Sequence, residues 1–434
     1  MLQLIKDRNF LTYWIGQFVS VVGDHISFIA FPFLVLQLTD SGAMMGLVFA
    51  VQGLPRAALM LMGGAVVDRY SPRLVMMVSN IFRFAVIMLM AYLIYVDQVT
   101  LEVIFIAALS FGVVDAFFYP ASIAIVPALV VKDMLQKANA LVHGSIYVGV
   151  IIGPAIGGLI IAGEVTTLGH GAGDAATYES NRLGFARAFF IDGLTFLASF
   201  LTLLFVRARV LGEDDGSDEP RASMIAEVVE GIKWVWSKPT IRLGFLGIAV
   251  IEFFFQAPIF IGLPMLTKVR FLEPTYIYGI IIAAWGAGAL IGSVLAGSLK
   301  PIPERFLVRI MFSVFIASGA ALGLVIVYEP YWWAMLVFFI AGIGDSFVML
   351  NFTTWVQKKT PEKLLGRVMS IFTFMSVGLV PVAAIALGSA FEWNLELTLI
   401  IVSGILVVSC LIAALHKDAE YRNDGEEDKL QEQS

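Results

Sequence analysis

The feature that most constrains this chain is a series of twelve apolar stretches, each about 20 residues or longer and each carrying few charges. A helix rises 1.5 Å per residue, so roughly 20 apolar residues cross a hydrocarbon core of about 30 Å. The stretches fall at 11–38, 44–67, 74–95, 102–128, 139–162 and 186–206, then at 240–266, 275–299, 306–328, 331–356, 366–390 and 395–415. Lipid offers no partner to a backbone N–H or C=O, so only helices and closed barrels span it. These stretches are too long and too uniformly apolar for barrel strands. With 59% hydrophobic and 14% charged residues and a mean hydropathy of +0.88, the chain cannot hide its apolar surface from water. The expected fold is an all-α membrane protein of twelve transmembrane helices.

Positive charge sets the orientation, because cytoplasmic loops carry the excess of Lys and Arg. Counting the N-terminus as inside, 22 of the 28 basic residues lie on the inner connections. The outer ones hold Arg182, Arg187, Lys268 and Arg270, while Arg56 and Arg83 fall within spans. Both termini are therefore expected in the cytoplasm. The net charge of −6 comes largely from soluble parts, including the run Glu213 to Glu219 and the tail after His416, so it says little about ligands. Cys410 is the single cysteine, which leaves no disulfide and no cysteine metal site within one chain. The first apolar stretch is too long for a cleavable signal peptide and lacks a small-residue cleavage site.

The longest inner connection divides the chain. The expected organisation is an N-terminal six-helix bundle at 1–206, a linker at 207–239, a C-terminal bundle at 240–415 and a tail at 416–434. The linker segment Ala222 to Trp236 reads as an amphipathic helix lying along the inner membrane surface and ending before Pro239. At an offset of about 230 residues the halves match weakly, which points to duplication and pseudo-symmetry. Ile29-Ala-Phe-Pro32 answers Ile261-Gly-Leu-Pro264, and Phe111-Gly-Val-Val-Asp115 answers Ala341-Gly-Ile-Gly-Asp345. The ends of the second spans, Gly64 to Arg73 and Gly297 to Arg305, match as well.

A charge at midspan costs about 2.5–3.5 kcal/mol on insertion scales, so each one needs a partner, a water-filled cavity or a task. Asp24, Arg56, Arg83, Asp115, Asp192, Glu252 and Asp345 all lie within spans. A desolvated carboxylate takes up a proton more readily than one in water, which suits it to carry protons between the two sides. The alternative is structural: acids paired with Arg56 or Arg83, with Arg83 expected to bond Asp24 or Asp115. For Asp192 the structural role is favoured, and His143 reads as a packed histidine. Phe253-Phe-Phe255 with Gln256, and Trp285, offer aromatic surface for bulky lipophilic or cationic ligands. The chain contains no phosphate-binding Gly-x-x-x-x-Gly-Lys loop, and its four histidines are scattered, so ATP drive and a metal centre are both disfavoured.

Two motifs carry a family resemblance. Gly64-Ala-Val-Val-Asp68-Arg69-Tyr-Ser-Pro-Arg73, between the second and third spans, resembles the loop signature of the major facilitator superfamily. Ser71 and Pro72 replace its later glycine and next basic residue. Gly149-Val-Ile-Ile-Gly153-Pro154-Ala-Ile-Gly157-Gly158 resembles the signature of that superfamily's antiporter branch. Asn9-Phe with Trp14 and Gln17, Glu230-Gly231, and Pro361 to Ser370 resemble the subgroup containing macrolide-efflux and enterobactin-export proteins.

The resemblance implies two pseudo-symmetric six-helix bundles, a central cavity, and alternating access driven by proton exchange. It puts the first, fourth, seventh and tenth helices around that cavity, which hold Asp24, Asp115, Glu252 with Gln256, and Asp345; the sixth helix falls outside. Asp68, Arg69 and Arg73 with Gly64 would form a cytoplasmic gate, and the glycines around Pro154 a groove for close helix packing. The expected protein is a monomeric, cofactor-free, non-enzymatic exporter of amphipathic small molecules, drug-like or siderophore-like, in a bacterial inner membrane. It would exchange protons, contact lipids and bind no nucleic acid. Two alternatives stay open: a lipid or lysolipid flippase, and a non-transporting receptor or scaffold, against which the cost of the intramembrane acids argues. The outer segment from Gly163 to Arg187 is long and has no functional account.

Overall fold

A computed structural model describes residues 4, 6–131, 134–162, 174–207, 224–300 and 302–421. Among them are twelve helices long and apolar enough to cross a membrane, and no strand. The first six are α1 (Arg8–Thr39), α2 (Gly42–Arg69), α3 (Pro72–Tyr95), α4 (Leu101–Leu129), α5 (Leu135–Ala162) and α6 (Asp174–Phe205). A linker helix, α7 (Met224–Ser237), follows. The seventh span is broken into α8 (Pro239–Ile251), a π-helical turn (Glu252–Gln256), a single turn (Ala257–Phe260) and α9 (Gly262–Arg270). The remaining spans are α10 (Pro274–Ser298), α11 (Leu307–Val327), α12 (Tyr331–Lys359), α13 (Glu362–Trp393) and α14 (Leu395–Leu415).

Two compact units form. One comprises Met1–Asp218, Ile259–Ala287 and Ala384–Leu395; the other comprises Glu219–Pro258, Gly288–Ala383 and Glu396–Ser434. In the first unit α2 packs on α4, α6 packs on both α1 and α3, and α5 packs on α1. Phe10, Tyr13, Met76, Phe118, Ile125 and Leu203 form a core at the α1 N-terminal end.

Helix ends show why particular loop residues are polar. Asp7 accepts the N–H groups of Asn9 and Phe10 at the start of α1, and Ser41 accepts Met44 N–H at the start of α2. At C-terminal ends the caps are cations. Arg73 donates to the Leu203 and Leu204 carbonyls that end α6, at 2.7 and 2.9 Å, and Arg182 reaches the Ile94 and Tyr95 carbonyls that end α3. A cation there satisfies orphan carbonyls and complements the helix dipole.

Two features depart from the sequence expectation. The long outer connection is partly helical, since α6 begins at Asp174 and carries Arg182 and Arg187 within it; residues 163–173 lie outside the described set. The seventh span is interrupted, although Pro32 in the matching stretch of α1 sits inside a continuous helix. Ile261, three residues before Pro264, leaves the regular helical path at φ −117° and ψ −55°. The linker helix α7 docks on α13, with Glu230 paired to Arg367 and Gly231 lying against Ile371 and Arg367, whose nearest atoms would be 3.0 and 3.1 Å from an added Cβ. Its Val229, Ile232 and Trp236 are exposed and Val235 is buried. Much of the linker and the tail beyond Tyr421 lie outside the described residues.

Candidate functional site

The first unit encloses a cavity of about 470 Å³. One face of α1 supplies Tyr13, Gln17, Val21, Asp24, Phe28 and Phe31, whose three- and four-residue steps put them on a single stripe. Opposite stand Gln52 and Arg56 from α2, Arg83 from α3, Phe111, Asp115 and Phe118 from α4, and Asn139 from α5.

The charges are arranged asymmetrically. Arg83 donates directly to Asp115 Oδ1, while Arg56 Nη1 stands 4.0 Å from Asp115 Oδ2. The Arg83 side chain is 5% exposed, Asp115 16% and Arg56 28%, so the pair is sunk in the wall while Arg56 reaches the open space. The Arg83 guanidinium also lies over the Phe118 ring at 4.0 Å and the Phe196 ring at 5.5 Å. Such a cation–π contact is worth ~0.5–2 kcal/mol. The Nε atoms of Arg56 and Arg83 and Gln17 Oε1 are buried and find no hydrogen-bond partner among the described residues. Asp24 lies within electrostatic reach of both Arg83 and Asp115, yet forms no ion pair among the described residues. The expectation that Arg83 bonds Asp24 or Asp115 resolves in favour of Asp115.

Asp192 differs from its expected surroundings. The sixth helix was expected outside the cavity, but Asp192 contributes to the wall. It is fully buried and accepts a hydrogen bond from Ser27 on α1, with Thr195 Oγ1 3.3 Å from its other oxygen. Close packing brings it in: a Cβ on Gly23 would sit 2.6 Å from Asp192 Oδ1. Sequence reasoning also passed over Gln17, Ser27, Gln52 and Asn139 as cavity residues. Gln17 had a readable signal, since it lies seven residues, two helical turns, before Asp24 on the same face.

Glu252, Gln256 and Asp345 belong to the second unit and are not among the residues lining this cavity. Asp345 accepts a hydrogen bond from Ser318 Oγ on α11 at 2.7 Å, and it lies within electrostatic reach of Glu252. Glu252 and Asp345 are each 8% exposed. Glu252 opens the π-helical turn that ends at Gln256, a local widening that re-aims side chains and recurs at functional positions.

The α5 glycines pack closely on α1: Gly149 lies against the Val21 side chain, Gly153 against His25 Cβ and the Val22 carbonyl, and Gly157 against the Ile26 backbone. Gly158 faces the backbone of Thr275 and Tyr276, and the Pro154 carbonyl would be 2.5 Å from a Cβ on Gly279 of α10. Of the loop signature, Arg73 is the α6 cap described above. Gly64, Asp68 and Arg69 lie in helical backbone, and the side chains of Asp68 and Arg69, like that of His143, fall outside the described set.

Twelve helices long and apolar enough to cross a membrane, with a charged and aromatic cavity in the first unit, fit an integral membrane protein of transporter type. The Major Facilitator Superfamily profile matches residues 13–384, and the chain belongs to that superfamily. It is 24% identical to the multidrug efflux pump Tap of Mycolicibacterium fortuitum over 84% of this chain and 85% of that protein. It is likewise 24% identical to the enterobactin exporter EntS of Shigella boydii serotype 18, over 87% of this chain and 84% of that one. Among solved structures, a mutant of the nucleoside transporter NupG superposes with a TM-score of 0.70 at 13% identity, over 94% of this chain and 99% of that one.

Proposed function

We propose that this chain exports amphipathic small molecules, drug-like or siderophore-like, in exchange for protons. Alternating access would expose the cavity first to one side of a bacterial inner membrane and then to the other. The reading takes the chain as a monomer with both termini in the cytoplasm and as two duplicated bundles, 1–206 and 240–415, joined by the 207–239 linker. Efflux by Tap and EntS, and the excess of basic residues on the inner loops, support the direction and the topology.

One observation carries the mechanism: a single cavity holds an acid neutralised by guanidinium and another acid that is not. Asp115 is bonded by Arg83, and Arg56 stands close to its other oxygen. Asp24 shares their field without a bond, so a proton or a bound substrate can change its state at moderate cost. In this reading Asp24 is the coupling acid, and Asp115 with Arg83 and Arg56 is the fixed reference charge against which it works. Glu252, Gln256 and Asp345 supply the corresponding polar positions of the second unit. Gly64, Asp68, Arg69 and Arg73 work at the cytoplasmic gate. The surface of α5 at Gly149, Gly153, Pro154, Gly157 and Gly158 lets neighbouring helices slide without side-chain interlock. Phe28, Phe31, Phe49, Phe111 and Phe118 offer ring faces and edges to the apolar part of the substrate.

The test is a proteoliposome assay with an imposed pH gradient, using ethidium and enterobactin as probes. Probe-dependent proton movement should be present in the parent and lost in Asp24→Asn, with probe binding retained. Undiminished movement in both Asp24→Asn and Asp115→Asn would refute the assignment.

A further inference from the structure

The turn between α1 and α2 is held at both helix ends by residues more than 200 positions away in sequence. At the C-terminal end of α1, Lys268 near the end of α9 donates to the Leu36 carbonyl at 3.1 Å and to Asp40 Oδ1 at 2.6 Å. Asp40 is the residue that stops the helix, in the left-handed conformation at φ 53°. At the N-terminal end of α2, Glu392 near the end of α13 accepts from Ser41 Oγ and from the Ala43 N–H, the latter at 3.1 Å. A cation thus sits on the carbonyl end of one helix and a carboxylate on the amide end of the next, each matching the helix dipole. All of these residues belong to one compact unit.

Between the two grips the backbones touch. A Cβ on Gly388 would lie 2.7 Å from the Gly42 carbonyl oxygen and 3.0 Å from Ala43 Cα, and one on Gly46 would strike the Ala384 carbonyl. Deeper in the same unit, Phe260 stands edge-on to Phe28 at 5.1 Å and stacks near Phe49 at 6.3 Å, and both of those rings line the cavity. The polar contacts themselves are open to water: the Lys268 side chain is 36% exposed, the Asp40 side chain 86%, and Glu392 is exposed. Contacts of this kind are individually weak, and on release every partner is met by solvent. That combination suits a contact made to be broken and remade.

We propose that Lys268 and Glu392 form a two-point latch on the α1–α2 turn, which holds the cavity shut at that end and must release at both points for it to open there. This rests on the alternating-access reading above. The test measures opening directly and needs neither a substrate nor a pH gradient, so a chain that exchanges no protons would still report on the latch.

Replacing Cys410 by serine removes the only native thiol, and Phe260→Cys then places a reporter behind the latch. An impermeant maleimide is applied to whole cells, from the face where the α1–α2 turn is expected. Lys268→Met combined with Glu392→Ala should raise the labelling rate by about threefold to thirtyfold, as the loss of two exposed charge contacts predicts. Glu392→Gln keeps an acceptor for Ser41 and should give a smaller rise than Glu392→Ala. Lys268→Arg should label at the parental rate. An unchanged rate in the double variant overturns the latch. So does a rise in Lys268→Arg equal to that in Lys268→Met, since packing rather than charge would then be holding the turn. Should the double variant fail to reach the membrane, the single variants decide by the same measurement.

Discussion

Asp115 and Asp345 occupy matching places in the two weakly similar halves of the sequence, four residues after Phe111 and Ala341, and the donors that bond them differ. In each unit the donor comes from the preceding helix. On α3 it is Arg83, which bonds Asp115 and stacks on Phe118; on α11 it is Ser318, whose hydroxyl donates to Asp345. In both places an acid faces the neighbouring helix, and the chemistry of the donor that faces it differs. A guanidinium offers the acid a counter-charge as well as a hydrogen bond. A hydroxyl serves either protonation state, because it can donate to a carboxylate or accept from a carboxylic acid. A guanidinium thus bonds the acid of the first unit, and a hydroxyl is among the donors to the acid of the second.

The strongest way to break this contrast is to remove the guanidinium. Arg83→Met leaves the partly exposed Asp115 with Arg56 at 4.0 Å; breaking a fully buried pair from one side costs ~3–5 kcal/mol, which is the upper bound here. The expected outcome is a large loss of thermal stability in detergent together with loss of transport. Much of the stability should return when Asp115→Asn is added, and a double-mutant cycle showing additive losses would contradict the pairing. The next effect sharpens the comparison through the backbone. Gly112 on α4 has the Gln52 carbonyl where a Cβ would go, whereas Gly344 on α12 meets only the Val314 side chain, at 2.8 Å. Gly112→Ala should lower stability by ~1–3 kcal/mol, the usual cost of overpacking; Gly344→Ala should cost less because Val314 can adjust. Equal unfolding midpoints for the two would show that backbone rigidity does not set the difference. Ser318→Ala removes a single hydroxyl donor from Asp345, and a loss of ~0.5–1.5 kcal/mol is expected. A loss as large as that of Arg83→Met would mean that the two acids are held alike. The smallest change comes from Arg73→Gln, which gives up a cation at the end of α6 worth ~0.3–1 kcal/mol. It should appear as faster amide exchange confined to the last turn of that helix.

Much of the fold was legible because lipid leaves the chain so few choices. Apolar runs of about 20 residues must be helices, and the twelve spans stand close to where hydropathy put them. The exceptions are informative. Asn181 to Arg187 and the residues before them read as a loop because Asn181, Arg182 and Arg187 break the apolar run, but Arg182 is spent on the exposed carbonyls of α3. The break in the seventh span was not visible because Pro32 and Pro264 look alike in sequence, and only one of them accompanies an interruption.

The candidate site was half legible. Asp24, Arg56, Arg83 and Asp115 stood out because a charge within an apolar run is costly, and all four line one cavity. Gln17, Gln52 and Asn139 are uncharged and carry a lower cost, so that cost does not mark them as cavity residues. Asp192 was noticed and its surroundings misjudged, since no one-dimensional pattern shows that Gly23 lets α6 come close enough to α1 to bring that carboxyl to the cavity wall.

By itself the sequence determined the solvent, the number of spans, the positions of the costly charges and the smooth face of α5. Each of these follows from a local free energy, the transfer of one side chain or one turn of backbone out of water. Which guanidinium meets which carboxylate, where a helix widens by one residue, and that a lysine and a glutamate seize the two ends of one turn were decided only by tertiary structure. Those outcomes depend on distances between segments remote along the chain, and only packing sets such distances.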